Sequence, residues 1–145
     1  MRNEMKISVK KLDEKAVTPT KAHPTDSGFD LTAIGVSKNL NDDVYLLSTG
    51  IAVTPPTGWF FGLFPRSSIS KTGYMLANSV GIVDKHYTGE LLIALRKVDK
   101  TAPDLEFPVK IAQLVLLPLV YPSIEEIAEL PTTDRGDKGF GSTGK

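Results

Sequence analysis

The chain contains no cysteine and no long apolar run, and its charges cancel. Without cysteine there is no disulfide framework, no thiolate nucleophile and no thiolate metal centre, a composition that suits a reducing compartment. No apolar stretch approaches the ~20 residues that a membrane-crossing helix needs. Lys+Arg 17 against Asp+Glu 17 argues against a surface built to coat nucleic acid or an anionic membrane, although local basic sites can still form. The two histidines lie in KAHPTD and VDKHYTG without a partner at metal-ligand spacing, so a protein zinc site is not expected. No serine occupies a G-x-S-x-G elbow, which leaves a serine hydrolase triad without an anchor. The start, Met1 to Lys6, is charged and leads into no apolar core, so no signal peptide is expected and the expected location is cytoplasmic, or nuclear for a eukaryotic or viral source.

What is present is one domain's worth of chain: 145 residues, with Gly 12 and Pro 10 scattered as punctuation between short apolar runs. That pattern predicts an all-β fold. Met5, Ile7 and Val9 alternate with polar residues. GIAVTPP and WFFGLFP are β-branched or aromatic runs closed by proline, and ELLIALRKV alternates before its charged end. VKIAQLVLLPLV is apolar on both faces, which predicts a central strand. RSSISK, after Pro65, predicts one short helix with Ser67 or Ser68 as N-cap and free amides facing outward. SIEEIAEL carries Ile124, Ile127 and Leu130 at amphipathic spacing between two prolines, and pattern alone leaves helix and extended chain equally open.

GFGSTGK resembles a phosphate-binding P-loop in spelling only. A P-loop follows a buried hydrophobic strand, whereas Pro131 to Gly136 are turn formers. Composition alone favours a disordered Gly/Ser tail, but Phe140 and Arg135 among the glycines suit a flap that closes on an anion and a flat ring.

Small polar residues recur beside glycine and charge in five stretches: TDSGFDL, PRSSISKTG, GIVDKHYTGE, KIAQLV and DRGDKGFGSTGK. Singly each is ordinary. Asp26 and Asp30 suit turns and caps, Arg66 an exposed charge, and Asp84 the first residue of a hairpin turn DKHYTG. Gln113 is less easily dismissed, because an unpaired amide in an apolar strand costs on the order of 1–3 kcal/mol. In this order and at these separations, from about Ala22 to Gly144, the five stretches resemble the motifs of the trimeric dUTPases (deoxyuridine 5'-triphosphate nucleotidohydrolases).

The resemblance implies a jelly-roll-like β fold, a β domain over 1–130, a flexible Gly-rich arm over 131–145, and a homotrimer with sites shared between subunits. It also turns the reading of SIEEIAEL toward an extended strand leading into the arm. The implied reaction is hydrolysis of dUTP to dUMP and pyrophosphate, with Mg²⁺ on the triphosphate as cofactor and no nucleic-acid or membrane partner. Asp84 matches the catalytic aspartate that activates water. Tyr87 matches the aromatic against the deoxyribose. The backbone around Gly81 and Val83, with the Asn78 amide, would read uracil. Arg66, Ser67 and Gln113, with Ser68 as a neighbour, match α- and β-phosphate contacts. Asp30 matches the aspartate that reaches the metal through water, with no direct protein ligand. In the arm, Arg135, Ser142 and Thr143 match γ-phosphate contacts, with Gly141 beside them, and Phe140 matches the ring that stacks on uracil.

The chain departs from the family at His86, where many members have aspartate, and at Lys110, where many have arginine. His86 removes a negative charge beside Asp84 and substitutes a residue type that changes charge near neutrality. Three other readings stand beside this one: a dCTP deaminase, a dUTPase-like binding module, and a jelly-roll scaffold protein. The last leaves Asp84, Arg66 and Gln113 without a reason to occur together.

Overall fold

A computed structural model of the chain describes residues 5–141. The alternating segment near the start forms β1 (Ser8–Lys11), which pairs antiparallel with β5 (Ile51–Thr54). Four strands, β2 (Gly28–Ala33), β10 (Val109–Pro118), β6 (Trp59–Pro65) and β8 (Gly81–Val83), make one antiparallel sheet in that order. A second sheet runs β3 (Gly35–Asn39), β4 (Val44–Ser48), β9 (Leu92–Lys97), β7 (Tyr74–Leu76). The expected all-β, jelly-roll-like architecture is therefore the observed one, and β10 is interior to its sheet, as its two apolar faces predict.

Both sheets send side chains into one core. Leu31, Ala33, Phe61, Leu63, Ile111 and Leu114 come from the first, and Leu47, Tyr74, Leu76, Ile93 and Leu95 from the second. The period of two selects them: Phe61 and Leu63 on β6, and Ile93 and Leu95 on β9, point inward. Each such burial contributes about 1.5–3 kcal/mol, enough to fix strand register, since a one-residue slip would turn every one of these side chains to water. Gly62 interrupts β6 for a packing reason: a Cβ there would lie 2.4 Å from the Phe64 ring.

The chain after Pro65 forms the expected short helix, a 3-10 helix over Ser67–Lys71. Its N-cap is Arg66 in extended conformation (ψ 151), without a side-chain cap, rather than Ser67 or Ser68. Ile69 is buried and ties the turn to the core. Two further expectations are corrected. DKHYTG is not a hairpin turn, because the strand before it, β8, pairs with β6, while β9, which follows, belongs to the other sheet. SIEEIAEL forms neither helix nor strand, with bends at residues 128 and 129. Ile124 is 99% exposed and Leu130 81%, and residues 121–130 are exposed throughout. Among the described residues, no helix is long and apolar enough to cross a membrane.

Candidate active site

The predicted residues gather in two clusters and an arm. The first cluster lies at one end of the first sheet. Antiparallel register sets Gln113 between Asp30 on β2 and Phe64 on β6. Pro65 terminates β6, and the chain turns so that the Arg66 guanidinium comes back over β10. Its Nε lies 3.0 Å from Asp30 Oδ1 and one Nη donates to the Lys110 carbonyl at 2.9 Å. The Arg66 amide also donates to the Ile111 carbonyl at 2.9 Å, which anchors the start of the 3-10 helix to β10. One of the guanidinium's five N–H groups is thus hydrogen-bonded and its charge is paired with Asp30, which leaves other N–H groups for an anion. Ser67 and Ser68 follow on the exposed side of the same turn.

The Gln113 amide is less of an orphan than the sequence suggests, because its Nε2 donates to the Pro65 carbonyl at 3.0 Å. Its Oε1 occupies the space where a side chain of residue 28 would stand, since a Cβ on Gly28 would lie 2.1 Å from it. Gly28 thus gives Gln113 its orientation, a role that the sequence reading missed. Its only signal was a glycine two residues before Asp30 on the same strand face.

The second cluster surrounds the turn after β8. A cavity of about 230 Å³ is lined by Asn78, Gly81, Val83, Asp84, Tyr87 and Glu90 among others. Asp84 is exposed, and its carboxylate has no hydrogen bond or ion pair among the described residues. It therefore does not cap the turn. The turn closes instead through the Tyr87 amide donating to the Asp84 carbonyl at 3.0 Å. The Tyr87 hydroxyl donates to the Glu90 carbonyl at 2.7 Å, and a Cβ on Gly89 would meet that hydroxyl at 2.7 Å. Asp84 also borders a second recess, of about 440 Å³, with Phe60, Ile82, Leu119 and Tyr121; His86 lies on that side.

The two clusters do not meet within one chain. Continuing the β6–β8 register puts Asp84 opposite Phe60, while Gln113 pairs with Phe64. At about 3.4 Å per residue and 4.8 Å per strand, the two Cα atoms stand roughly 17 Å apart.

The arm is separate from both. Leu119 donates to the Gly58 carbonyl at 2.8 Å, and beyond it each hydrogen bond among the described residues is local. Arg135 Nε donates to the Lys138 carbonyl at 2.6 Å, and the Gly136 amide donates to Thr133 Oγ1 at 3.1 Å. Phe140 is fully exposed, and Gly136 (φ 57) and Gly141 (φ 87) take left-handed conformations that suit glycine. Ser142 and Thr143 lie outside the described residues.

An all-β jelly-roll-like chain with an arginine–carboxylate–amide cluster, a free aspartate in a small polar cavity and a Gly-rich arm defines a class: β proteins that carry a divided polar site. The particular family follows from comparison with known proteins. The dUTPase family model matches residues 14–144, and the chain belongs to that family. A deoxyuridine 5'-triphosphate nucleotidohydrolase of Trichodesmium erythraeum is 38% identical over 141 residues, covering 97% of this chain and 99% of the relative. One from Clostridium novyi is 37% identical with the same coverage. Among solved structures, a variant dUTPase of Staphylococcus bacteriophage 80alpha with dUpNHpp matches with a TM-score of 0.79 at 25% identity, over 97% of this chain and 99% of that one.

Proposed function

We propose that the protein hydrolyses dUTP to dUMP and pyrophosphate, limiting uracil in DNA and supplying dUMP for thymidylate synthesis. The observation that carries this reading is family membership over residues 14–144 together with the placement of the motif residues in two complementary half-sites. One half, with a free carboxylate beside a small polar cavity, suits a nucleoside and an attacking water. The other, with a guanidinium, hydroxyls and an amide, suits phosphate oxygens.

Asp84 orients the water and takes its proton as the water attacks the α-phosphorus. The bond to the bridging oxygen breaks and pyrophosphate leaves. Uracil sits against the backbone of Gly81 to Val83 with the Asn78 amide beside it, and thymine is rejected for its methyl and cytosine for its mismatched donors. Tyr87, pinned through its hydroxyl to the Glu90 carbonyl, lies against the sugar and leaves no room for a 2′-hydroxyl. Arg66, Ser67, Ser68 and Gln113 hold the α- and β-phosphates. Positioning and charge neutralisation supply most of the rate, as is general for phosphoryl chemistry.

Mg²⁺ is the implied cofactor, and the residues present fit an ion carried by the nucleotide. Asp30 is the carboxylate of the phosphate cluster, and no group of three or more metal-ligating side chains occurs among the described residues. Asp30 would hold the ion through its water shell, and bound Mg²⁺ would neutralise triphosphate charge.

The reading includes a homotrimer. A span of roughly 17 Å between Asp84 and Gln113 is too long for both to act on one α-phosphate, so a neighbouring copy supplies the other half. Exposed Val120, Tyr121, Ile124 and Leu130 support the same reading, since apolar side chains in such a run gain by being covered. The β domain spans 1–130, and the arm over 131–145 closes on a site with Phe140 on uracil, Arg135, Ser142 and Thr143 on the γ-phosphate, and Gly141 among the substrate-binding residues beside them. A cytoplasmic location completes the proposal.

The test is the purified protein with Mg²⁺ against dUTP, UTP, dTTP and dCTP, measuring pyrophosphate and ammonia together. Pyrophosphate from dUTP alone is expected, and Asp84→Asn should lower it by orders of magnitude. Ammonia from dCTP, or unchanged turnover in that variant, would overturn the reading.

A further inference from the structure

The turn that carries Asp84 and Tyr87 has few bonds of its own. Its hydrogen bond from the Tyr87 amide to the Asp84 carbonyl is local, and β9 begins only at Leu92. On one side it is held by β8, whose buried Val83 pairs with Phe61, and on the other it is tied to the body by Glu90. The Glu90 Oε2 accepts from the Ser48 hydroxyl and from the Gly50 amide at 2.8 Å, and the Glu90 carbonyl accepts the Tyr87 hydroxyl. Leu91 continues the attachment: its amide donates to the Ile51 carbonyl at 2.9 Å, and its carbonyl accepts from buried Thr49 Oγ1 at 2.7 Å.

The corner that receives these bonds, between β4 and β5, is closely packed, with Thr49 and Gly50 buried. Gly50 has φ 68, and a Cβ there would press on Ile34, Ala16 and Asp13 at 3.0–3.1 Å. A carboxylate that reaches two donors on such a corner transmits its position to the turn. From this geometry we infer that Glu90 is a positioning residue: it clamps the turn to the β4–β5 corner and so sets Tyr87 and Asp84 at the cavity. Glu90 closes the stretch GIVDKHYTGE but carries no role in the sequence analysis, and Ser48 lies outside all five stretches. This inference rests on the dUTP reading above for its catalytic readout, and one further measurement stands apart from that reading.

The experiment compares the full-length wild type with Glu90→Ala, Glu90→Gln and Ser48→Ala. Steady-state kcat and KM for dUTP and for UTP are measured, together with hydrogen–deuterium exchange over residues 84–89. For Glu90→Ala the expected result is a loss of about tenfold or more in kcat/KM for dUTP, a narrowed preference for dUTP over UTP, and faster exchange of the turn with β6 and β10 unchanged. Glu90→Gln, whose amide oxygen can still accept from Gly50, should recover most of both. An unchanged preference in a folded Glu90→Ala, or a Glu90→Gln as impaired as the alanine variant, overturns the inference. If Glu90→Ala does not fold, Ser48→Ala carries the test: a narrowed preference supports the clamp, and an unchanged one refutes it. If the wild type does not hydrolyse dUTP, the functional reading fails, and the exchange of the turn alone decides for or against the clamp.

Discussion

Gly28→Ala places a single methyl where the structure has none to spare. Its Cβ would lie 2.1 Å from Gln113 Oε1, 2.8 Å from Cδ and 3.1 Å from Cβ. The far end of a glutamine is flexible, so the strand can hold while the amide swings away and gives up its 3.0 Å bond to the Pro65 carbonyl. Losing that bond costs about 1 kcal/mol, and replacing glycine by alanine within a strand returns about 0.5–1 kcal/mol. Stability should therefore change little. Activity should fall, because a hydrogen bond to a charged phosphate contributes about 1.5–3 kcal/mol, which at about 1.4 kcal/mol per tenfold is a loss of roughly 10- to 100-fold in kcat/KM. The assay is pyrophosphate release from dUTP beside thermal unfolding, with Gln113→Ala and the double variant as comparators. Because both substitutions act on one amide, the double variant should be no worse than either single one. Full activity in Gly28→Ala with a damaged Gln113→Ala would show that Gln113 works from another pose. Full activity in both would remove Gln113 from the site.

Three further outcomes are expected. Removing residues after Asp134 should leave the assembly intact by sedimentation and abolish most turnover; a fully active truncation would show that the arm is not part of the site. If sites are shared, refolding Asp84→Asn with Arg66→Ala chains in equal amounts should restore about a quarter of wild-type activity, because a random interface pairs two intact halves with that frequency. No recovery would mean that each site is built within one chain. Asp43 is held below the usual carboxylate range, chiefly by its hydrogen bond with Lys100 and further by that ion pair, against an opposing effect of desolvation. A depressed carboxylate contributes stability at pH values above its ordinary range and loses it as pH falls through the lowered value. Thermal unfolding of Asp43→Asn should therefore show a small, salt-sensitive deficit at neutral pH that vanishes in acid, and a deficit that persists in acid would contradict this account.

Much of the fold could be read from periodicity. The runs at GIAV, WFFGLFP, ELLIALRKV and VKIAQLVLLP are strands because alternation and β-branching act over neighbouring residues. β3, β7 and β8 were not legible, because three to five residues are too few for a hydrophobic period to stand out. The hairpin reading of DKHYTG failed for a related reason. A turn's sequence specifies the turn and says nothing about which sheet its two flanks join. Likewise Asp84, Arg66 and Gln113 could be chosen as chemical groups from residue type and motif order, whereas Gly28 and Glu90, though inside the quoted stretches, could be given no role, because those roles depend on contacts with Gln113 and with Ser48, the latter 42 residues from Glu90.

The amino-acid sequence by itself determined the all-β character, the short helix after Pro65, the motif residues and the family, since composition, local period and motif order are properties of the linear chain. Tertiary structure alone decided that Asp30, Arg66 and Gln113 form one cluster, that Asp84 and Tyr87 form another roughly 17 Å away, and that Glu90 fastens the second to the β4–β5 corner. Strand pairing brings together residues distant in sequence through core burial and long-range hydrogen bonds, and no local pattern encodes those partners.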